Sequence, residues 1–230
     1  LGAAGNYIHG THVAGIAAAG NPYARIAIAR IEFGHTLQPD PCPSLELAQK
    51  DARNTQAYVE FFRRHRVRVV NMSFGGSVGD VEGQLEQCGI GRTADERRKI
   101  AREWFDIGKE AFVKAMASAP EILFVAAAGN ENADSTFAES IPADIVLPNL
   151  ITVGAVDKAG DEAPFTSYGK TVVVHANGYL VDSVIPGGQR LAESGTSMAA
   201  PQVANLAAKM LAVNPALTPP QLVAIIRDTS

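Results

Sequence analysis

Several features that would point to other classes of protein are scarce or missing in this sequence. The 230 residues contain no uninterrupted run of 18 apolar residues, so we expect no membrane-spanning helix. The net charge is −4 and no block of Lys or Arg exceeds a short cluster, which argues against nucleic acid or an anionic membrane as the main partner. The only two cysteines, Cys42 and Cys88, are too few for a metal site and fit either free thiols or one disulfide.

What is present is a pattern of apolar runs separated by helical segments. With 47% hydrophobic residues the chain can bury a substantial core and is most simply one domain. Buried strands spaced by such helices predict a three-layer α/β/α fold of the α/β class with a mostly parallel central sheet. Polar or turn-rich stretches at residues 34–44 and 75–93 indicate surface insertions. The predicted strands are 24–31, 67–72, 122–127 and 150–156, and the predicted helices are 45–66, 94–118 and a last one starting with Thr218 and Pro219.

Three short segments combine glycine, other small residues and reactive side chains. The first is residues 9–15 (HGTHVAG), whose small residues are typical of a helix packed tightly against its neighbours. We expect His9 at the start of this helix, where the positive helix N-terminus would keep the imidazole neutral and able to accept a proton. Taken alone, either His9 or His12 is more often a hydrogen-bonded core residue than a catalytic one.

The second and third segments each place a polar side chain at the end of a regular element. Residues 125–132 (VAAAGNEN) predict a buried strand followed by a turn, and functional groups of open α/β sheets lie at such strand ends. The Asn130 amide can donate to an oxyanion, although Gly-Asn is also ordinary turn chemistry. Residues 194–201 (SGTSMAAP) place Ser197 at a helix N-terminus, which favours negative charge; an N-capping serine would give the same pattern.

Together and in this order, the three motifs resemble those of the subtilase family of serine endopeptidases, from about residue 7 to residue 230. Residues 70–76 (VNMSFGG) and 151–157 (ITVGAVD) are similar to the family's substrate strand and core strand. The resemblance implies one peptidase domain over residues 1–230, with His9 as general base, Ser197 as nucleophile and Asn130 as oxyanion donor. It also implies substrate contacts on two segments that border the S1 pocket, Ser73, Phe74, Gly75, Ala127, Ala128 and Gly129.

One part of the family's pattern is missing. Subtilases carry Asp, His and Ser in that order, with the Asp on the first central strand. No acidic residue precedes His9, and the surroundings of Asp40, Asp51 and Asp80 do not resemble the motif. We therefore expect the acid and its strand upstream of Leu1, which makes the given chain N-terminally truncated and weakly active or inactive by itself. The unpaired sheet edge would then invite association.

Two rival interpretations were weighed. An α/β-hydrolase needs its histidine after the nucleophile, whereas the last histidine here, His175, precedes Ser197. The second rival, a non-catalytic subtilase-like domain that binds peptides, is supported only by the missing acid. Reading the sequence upstream of Leu1 would discriminate it from a protease.

The resemblance implies further properties. We expect polypeptide substrates, no cofactor, and a secreted or extracytoplasmic location. No metal is expected, because residues 20–23 form a shorter stretch than the family's calcium loop. Glu139 or Ser140 is expected near the floor of the S1 pocket, where a carboxylate would favour a basic P1 residue.

Overall fold

A computed structural model describes residues 3–31 and 41–230. Seven helices occur in these ranges: α1 (Ala3–Ala18), α2 (Leu45–Arg64), α3 (Val78–Gln87), α4 (Ala94–Ala117), α5 (Ser135–Ala138), α6 (Thr196–Val213) and α7 (Pro219–Asp228). The strands there are β1 (Val69–Met72), β2 (Gly76–Ser77), β3 (Leu123–Ala127), β4 (Ser140–Ile141), β5 (Leu150–Val156), β6 (Val172–Asn177), β7 (Val181–Val184) and β8 (Arg190–Glu193).

The main sheet has the strand order β1-β3-β5-β6, and all of its pairs are parallel. Helices α2 and α4 pack on one face of this sheet, while α6 and α7 pack on the other. The predicted three-layer α/β/α class with a mostly parallel sheet is therefore confirmed. Two short antiparallel ribbons, β2-β4 and β7-β8, lie outside the main sheet.

The central strand β3 separates two apolar cores. Successive side chains of a strand point to opposite faces, so Leu123 and Val125 join the cluster that includes α6 and α7. Phe124 and Ala126 join the cluster that includes α2 and α4. All five residues of β3 are buried, which explains why the strand appears in the sequence as a continuous apolar run.

One predicted strand is wrong. Residues 24–31 (ARIAIARI) have a β-like composition, yet they form no strand, and Ile26, Ile28 and Ile31 are exposed. A strand requires a hydrogen-bonded neighbour, and none of the described strands pairs with this segment. The Tyr58 hydroxyl of α2 donates to the Arg30 carbonyl of this segment (3.1 Å), and Ala29 and Ile31 line a cavity together with residues of β1.

The other predicted elements are found close to their expected bounds. Strand β5 covers residues 150–156, and α2 and α4 end at Arg64 and Ala117. Helix α7 starts after Thr218, whose N–H and hydroxyl both donate to the Gln221 side chain. Of the two polar stretches, 75–93 forms β2 and the capped helix α3, while most of 34–44 lies outside the described residues.

The two cysteines form a disulfide, which resolves the alternative that the sequence left open. Cys42 lies just before α2, and Cys88 is the C-cap residue of α3, with 5.9 Å between their Cα atoms. The bridge thus fastens the segment that enters α2 to the helix that follows β2. Among the described residues, no helix is long and apolar enough to cross a membrane.

Candidate active site

The site lies where β1 and β3 end. Met72 pairs with Ala126, so residues 73–75 and 127–129 leave the sheet side by side at its carboxyl edge. Gly129 has φ +107°, and a Cβ there would come within 2.5 Å of a Glu131 carboxylate oxygen. The tight turn that presents Asn130 therefore requires glycine at position 129.

Ser197 lies in the first turn of α6 and is held against the end of β1. The Ser73 hydroxyl donates to the Ser197 carbonyl (2.8 Å), and the Ser197 hydroxyl donates to the Ser73 carbonyl (3.3 Å). Asn71 donates in turn to the Ser73 hydroxyl at 2.9 Å. Two reciprocal hydrogen bonds thus fix the start of α6 relative to residues 73–75.

The Asn130 amide is oriented by its neighbour in α6. Its Oδ1 accepts from the Thr196 N–H (2.8 Å) and from the Thr196 hydroxyl (3.0 Å), and that hydroxyl accepts from the Gly129 N–H (3.1 Å). With Oδ1 engaged, the Nδ2 donors point away from Thr196, since the two atoms project in different directions within the amide plane. Thr196 was not singled out from the sequence, because a threonine beside a serine carries no distinctive signal there.

His9 lies inside α1 rather than at its start. The expectation of a helix N-terminus at His9 is wrong, because the small residues that precede it continue the helix back to Ala3. The pKa of His9 is nevertheless lowered, mainly by burial, while the negative charge of Glu193 acts to raise it and His12 adds to the lowering. The imidazole therefore favours the neutral form that a general base needs.

Helix α1 packs against the start of α6. Val13 and Ile16 of α1 form a small apolar cluster with Met198, the residue after Ser197. His9 precedes Val13 by four residues, so both lie on the same face of α1. Helix packing thus brings His9 and Ser197 to one region, although no hydrogen bond joins their side chains in the part of the chain that is described.

The β7-β8 ribbon (residues 181–193) connects the two helices. His12 is fully buried, and its Nε2 lies 2.9 Å from the Leu191 carbonyl of β8. The Ser183 hydroxyl of β7 donates to the His12 carbonyl at 2.8 Å. His12 therefore fastens α1 to the ribbon, and β8 leads directly into the loop before Ser197.

A cavity of about 440 Å³ lies beside His9. In the described part of the chain β1 is an edge strand, and the cavity is lined both by β1 and by the extended segment Ala24–Ile31. Its wall includes His9, Val13, Ala29, Ile31, Tyr58, Phe62, Val70, Met72, Phe112 and Met116. The space is thus mostly apolar, elongated along an unpaired strand edge, and open to the imidazole.

The two residues expected near the floor of the S1 pocket have other partners. The Glu139 carboxylate forms a hydrogen-bonded ion pair with Arg102, which holds its pKa below the ordinary value. Ser140 pairs with Ser77 in the β2-β4 ribbon. Because its charge is already neutralised by Arg102, Glu139 gives no support to a basic P1 preference.

Comparison with known proteins gives a consistent result. Residues 3–230 match the model of the Subtilase family. The chain is 32% identical over 223 residues to Subtilisin NAT of Bacillus subtilis subsp. natto (93% of this chain, 48% of that protein) and to Subtilisin of Bacillus pumilus (93% and 66%). The crystal structure of a cold adapted subtilisin-like serine proteinase aligns with TM-score 0.57 and 28% identity, covering 77% of this chain and 54% of the other. The chain therefore spans between about half and two thirds of the length of these relatives.

Proposed function

The chain belongs to the subtilase family, and on that basis we propose that the protein is a serine endopeptidase acting through an acyl-enzyme on Ser197. The observation that carries the proposal is the joint at the start of α6. There Ser197 is bonded to Ser73 of the substrate strand, and Thr196 orients the Asn130 amide. A nucleophile and an oxyanion donor held by adjacent residues of one helix turn suit acyl transfer.

The proposed reaction begins when His9 accepts the proton of the Ser197 hydroxyl as its oxygen attacks a peptide carbonyl. The hydroxyl must first turn away from the Ser73 carbonyl, to which it donates in the unliganded chain. The carbonyl oxygen of the tetrahedral intermediate would accept from the Asn130 Nδ2 and the Ser197 N–H. His9 then returns the proton to the leaving amine, and water releases the acyl group from Ser197.

We place the substrate along the carboxyl edge of β1 and β3. Residues 73–75 and 127–129 border the space in front of Ser197, and Phe74 is 38% exposed there. An extended peptide can add to such an edge as a further strand. Polypeptides are therefore the proposed substrates, and the side chains around residues 73–75 and 127–129 would form the S1 pocket.

The triad acid is proposed to arrive on a strand that precedes Leu1 in the complete protein. The cavity beside His9 supports this, because it is lined by Ala29 and Ile31 and by residues of β1, a strand with a free edge in the described part of the chain. A strand placed there would complete the parallel sheet and bring a carboxylate to the imidazole. In subtilisin, loss of the acid lowers kcat by about 3 × 10⁴, which sets the deficit expected of this chain alone.

A second candidate function is peptide binding without catalysis. Its support is that no acidic residue precedes His9 in the sequence, where the family carries the triad acid, while the cleft residues are retained. The disulfide Cys42–Cys88 supports a secreted or extracytoplasmic location, since disulfides persist in oxidising compartments. Without its strand, the edge of β1 would also allow two copies to associate.

A fluorophosphonate probe tests the proposal directly. We expect a covalent adduct on Ser197, located by peptide mass spectrometry, no adduct in Ser197→Ala, and much slower labelling in His9→Ala. An upstream-extended chain should label faster than the 230 residues alone. Absence of labelling in the extended chain, with its fold intact by circular dichroism, would favour the peptide-binding alternative.

A further inference from the structure

The β7-β8 ribbon presents one carboxylate toward the proposed catalytic pair. Val181 and Glu193 are directly opposite each other in the ribbon's antiparallel register. Directly opposed residues project from the same face of an antiparallel pair. Val181 packs against Val13, Ile16 and Met198, so this face of the ribbon is the one turned toward α1 and the start of α6.

Three further observations bring Glu193 close to His9. Leu191, two residues earlier on β8, contacts His12 through its carbonyl, which fixes the course of β8 along α1. The charge of Glu193 acts on the His9 imidazole and raises its pKa against the effect of burial. Glu193 also precedes Ser197 by only four residues and is only partly buried, and its side chain forms no hydrogen bond or ion pair within the described structure.

The proposed reaction indicates which part of a bound peptide lies near Glu193. The Asn130 amide marks the side where the carbonyl oxygen is held, whereas His9 delivers its proton to the amine that leaves. A carboxylate beside His9 therefore faces the part of the peptide that follows the scissile bond. An unpaired, partly desolvated carboxylate attracts a cationic side chain there more strongly than a fully solvated one does.

We propose that Glu193 determines specificity on the leaving-group side, selecting a basic residue, Arg or Lys, at the first position after the scissile bond. This inference rests on the proposed endopeptidase function, because it needs an acyl-enzyme on Ser197. It is independent of the S1 pocket, which binds the residue before the scissile bond. Glu193 would act as a binding group and take no part in proton transfer.

Acyl transfer measures this preference separately from catalysis. The complete protein is acylated with an activated peptide ester, which has no residue after the reacting carbonyl, and the acyl-enzyme is then partitioned between water and an amino-acid amide. Argininamide is compared with citrullinamide, which has nearly the same shape and no charge. We expect the wild type to favour argininamide by about threefold to fivefold, the range of a partly exposed ion pair.

The decisive variant is Glu193→Gln, which should bring the ratio of argininamide to citrullinamide products close to one; the ratio compares two nucleophiles on the same acyl-enzyme, so it does not depend on the overall rate. Asp182→Asn is the matched control, because Asp182 lies on the opposite face of the same ribbon and pairs with Arg190. That control should keep the wild-type ratio. An unchanged ratio in Glu193→Gln with normal ester hydrolysis overturns the inference alone, whereas absence of ester hydrolysis in the wild type overturns the proposed function.

Discussion

Asn205 of α6 holds the last turn of the helix that carries His9. Its side-chain NH₂ donates to three carbonyls at the end of α1, those of Ile16 (3.1 Å), Ala17 (2.9 Å) and Ala19 (2.8 Å). The Ile16 carbonyl also accepts from the Ala19 N–H (3.1 Å), whereas at the Ala17 carbonyl the buried Asn205 side chain replaces the water that would otherwise cap the end of the helix. Asn205 thus ties the helix of the proposed base to the helix of the proposed nucleophile.

Asn205→Ala should lower the free energy of unfolding by about 2 kcal/mol. Two amide hydrogens can make two good hydrogen bonds at a time, each worth about 1 kcal/mol net. The Ala19 carbonyl retains the Lys209 ammonium at 3.1 Å and the Ile16 carbonyl retains the Ala19 N–H, so the loss falls mainly on the Ala17 carbonyl. Asn205→Asp should cost more, because a carboxylate would face carbonyl oxygens at the negative end of α1.

The assay combines urea unfolding with the rate of fluorophosphonate labelling at Ser197, measured well below the unfolding transition. Asn149→Ala is the matched control, because Asn149 caps the end of α4 in the same way, through the carbonyls of Met116, Ala119 and Ile122. Both variants should lose similar stability, and only Asn205→Ala should slow labelling. Equal slowing in both variants, or no loss of stability in Asn205→Ala, would refute the reasoning.

Three other changes have defined outcomes. Replacing Cys42 and Cys88 by serine should lower the free energy of unfolding by up to about 4 kcal/mol, which is the chain-entropy value for a separation of 46 residues. Thermal unfolding of the variant is compared with that of the wild type, both untreated and reduced. Labelling of Ser197 should rise with pH through a midpoint below the ordinary 6.5, because burial lowers the pKa of His9 and only the neutral imidazole accepts a proton; Glu193→Gln should lower the midpoint further, and a midpoint above 6.5 in the 230 residues alone would contradict this. Gly129→Ala should abolish labelling while the fold persists by circular dichroism, since its Cβ would displace Glu131 and strain a turn at φ +107°.

The parts of the fold that the sequence predicted well are those whose pattern is set locally. Strand β5 is a continuous apolar run because both of its faces are buried, and α7 begins at its Thr-Pro signal. Residues 24–31 have the same kind of composition but no strand beside them, and pairing cannot be read from one segment alone. The proposed site residues His9, Asn130 and Ser197 were predicted because their motifs combine glycine, small residues and reactive side chains and occur in a fixed order.

The features that could not be predicted from the sequence depend on contacts between residues that are far apart in the chain. The start of α1 was misplaced, because glycine and alanine around His9 carry little information about where a helix begins. The pairing of Cys42 with Cys88 follows from the approach of α2 and α3, which has no local signature. Thr196 and Glu193 matter only through their neighbours in space, so neither stands out in a linear reading.

The contacts of the β7-β8 ribbon distinguish two parts of the site: α1 with the start of α6, and the carboxyl edge of the sheet. The ribbon is hydrogen-bonded to α1 through His12 and continues directly into the residues before Ser197, so the elements that carry the proposed base and the proposed nucleophile are connected. The substrate edge, by contrast, belongs to the sheet, and it is hydrogen-bonded to the start of α6 through Ser73–Ser197 and through Asn130–Thr196. Strands at the β1 side could therefore be lengthened, shortened or exchanged during evolution while the proposed pair of His9 and Ser197 stayed in place. The proposed pair of His9 and Ser197 would then be inactive on peptides until a sheet edge is present to bind the substrate.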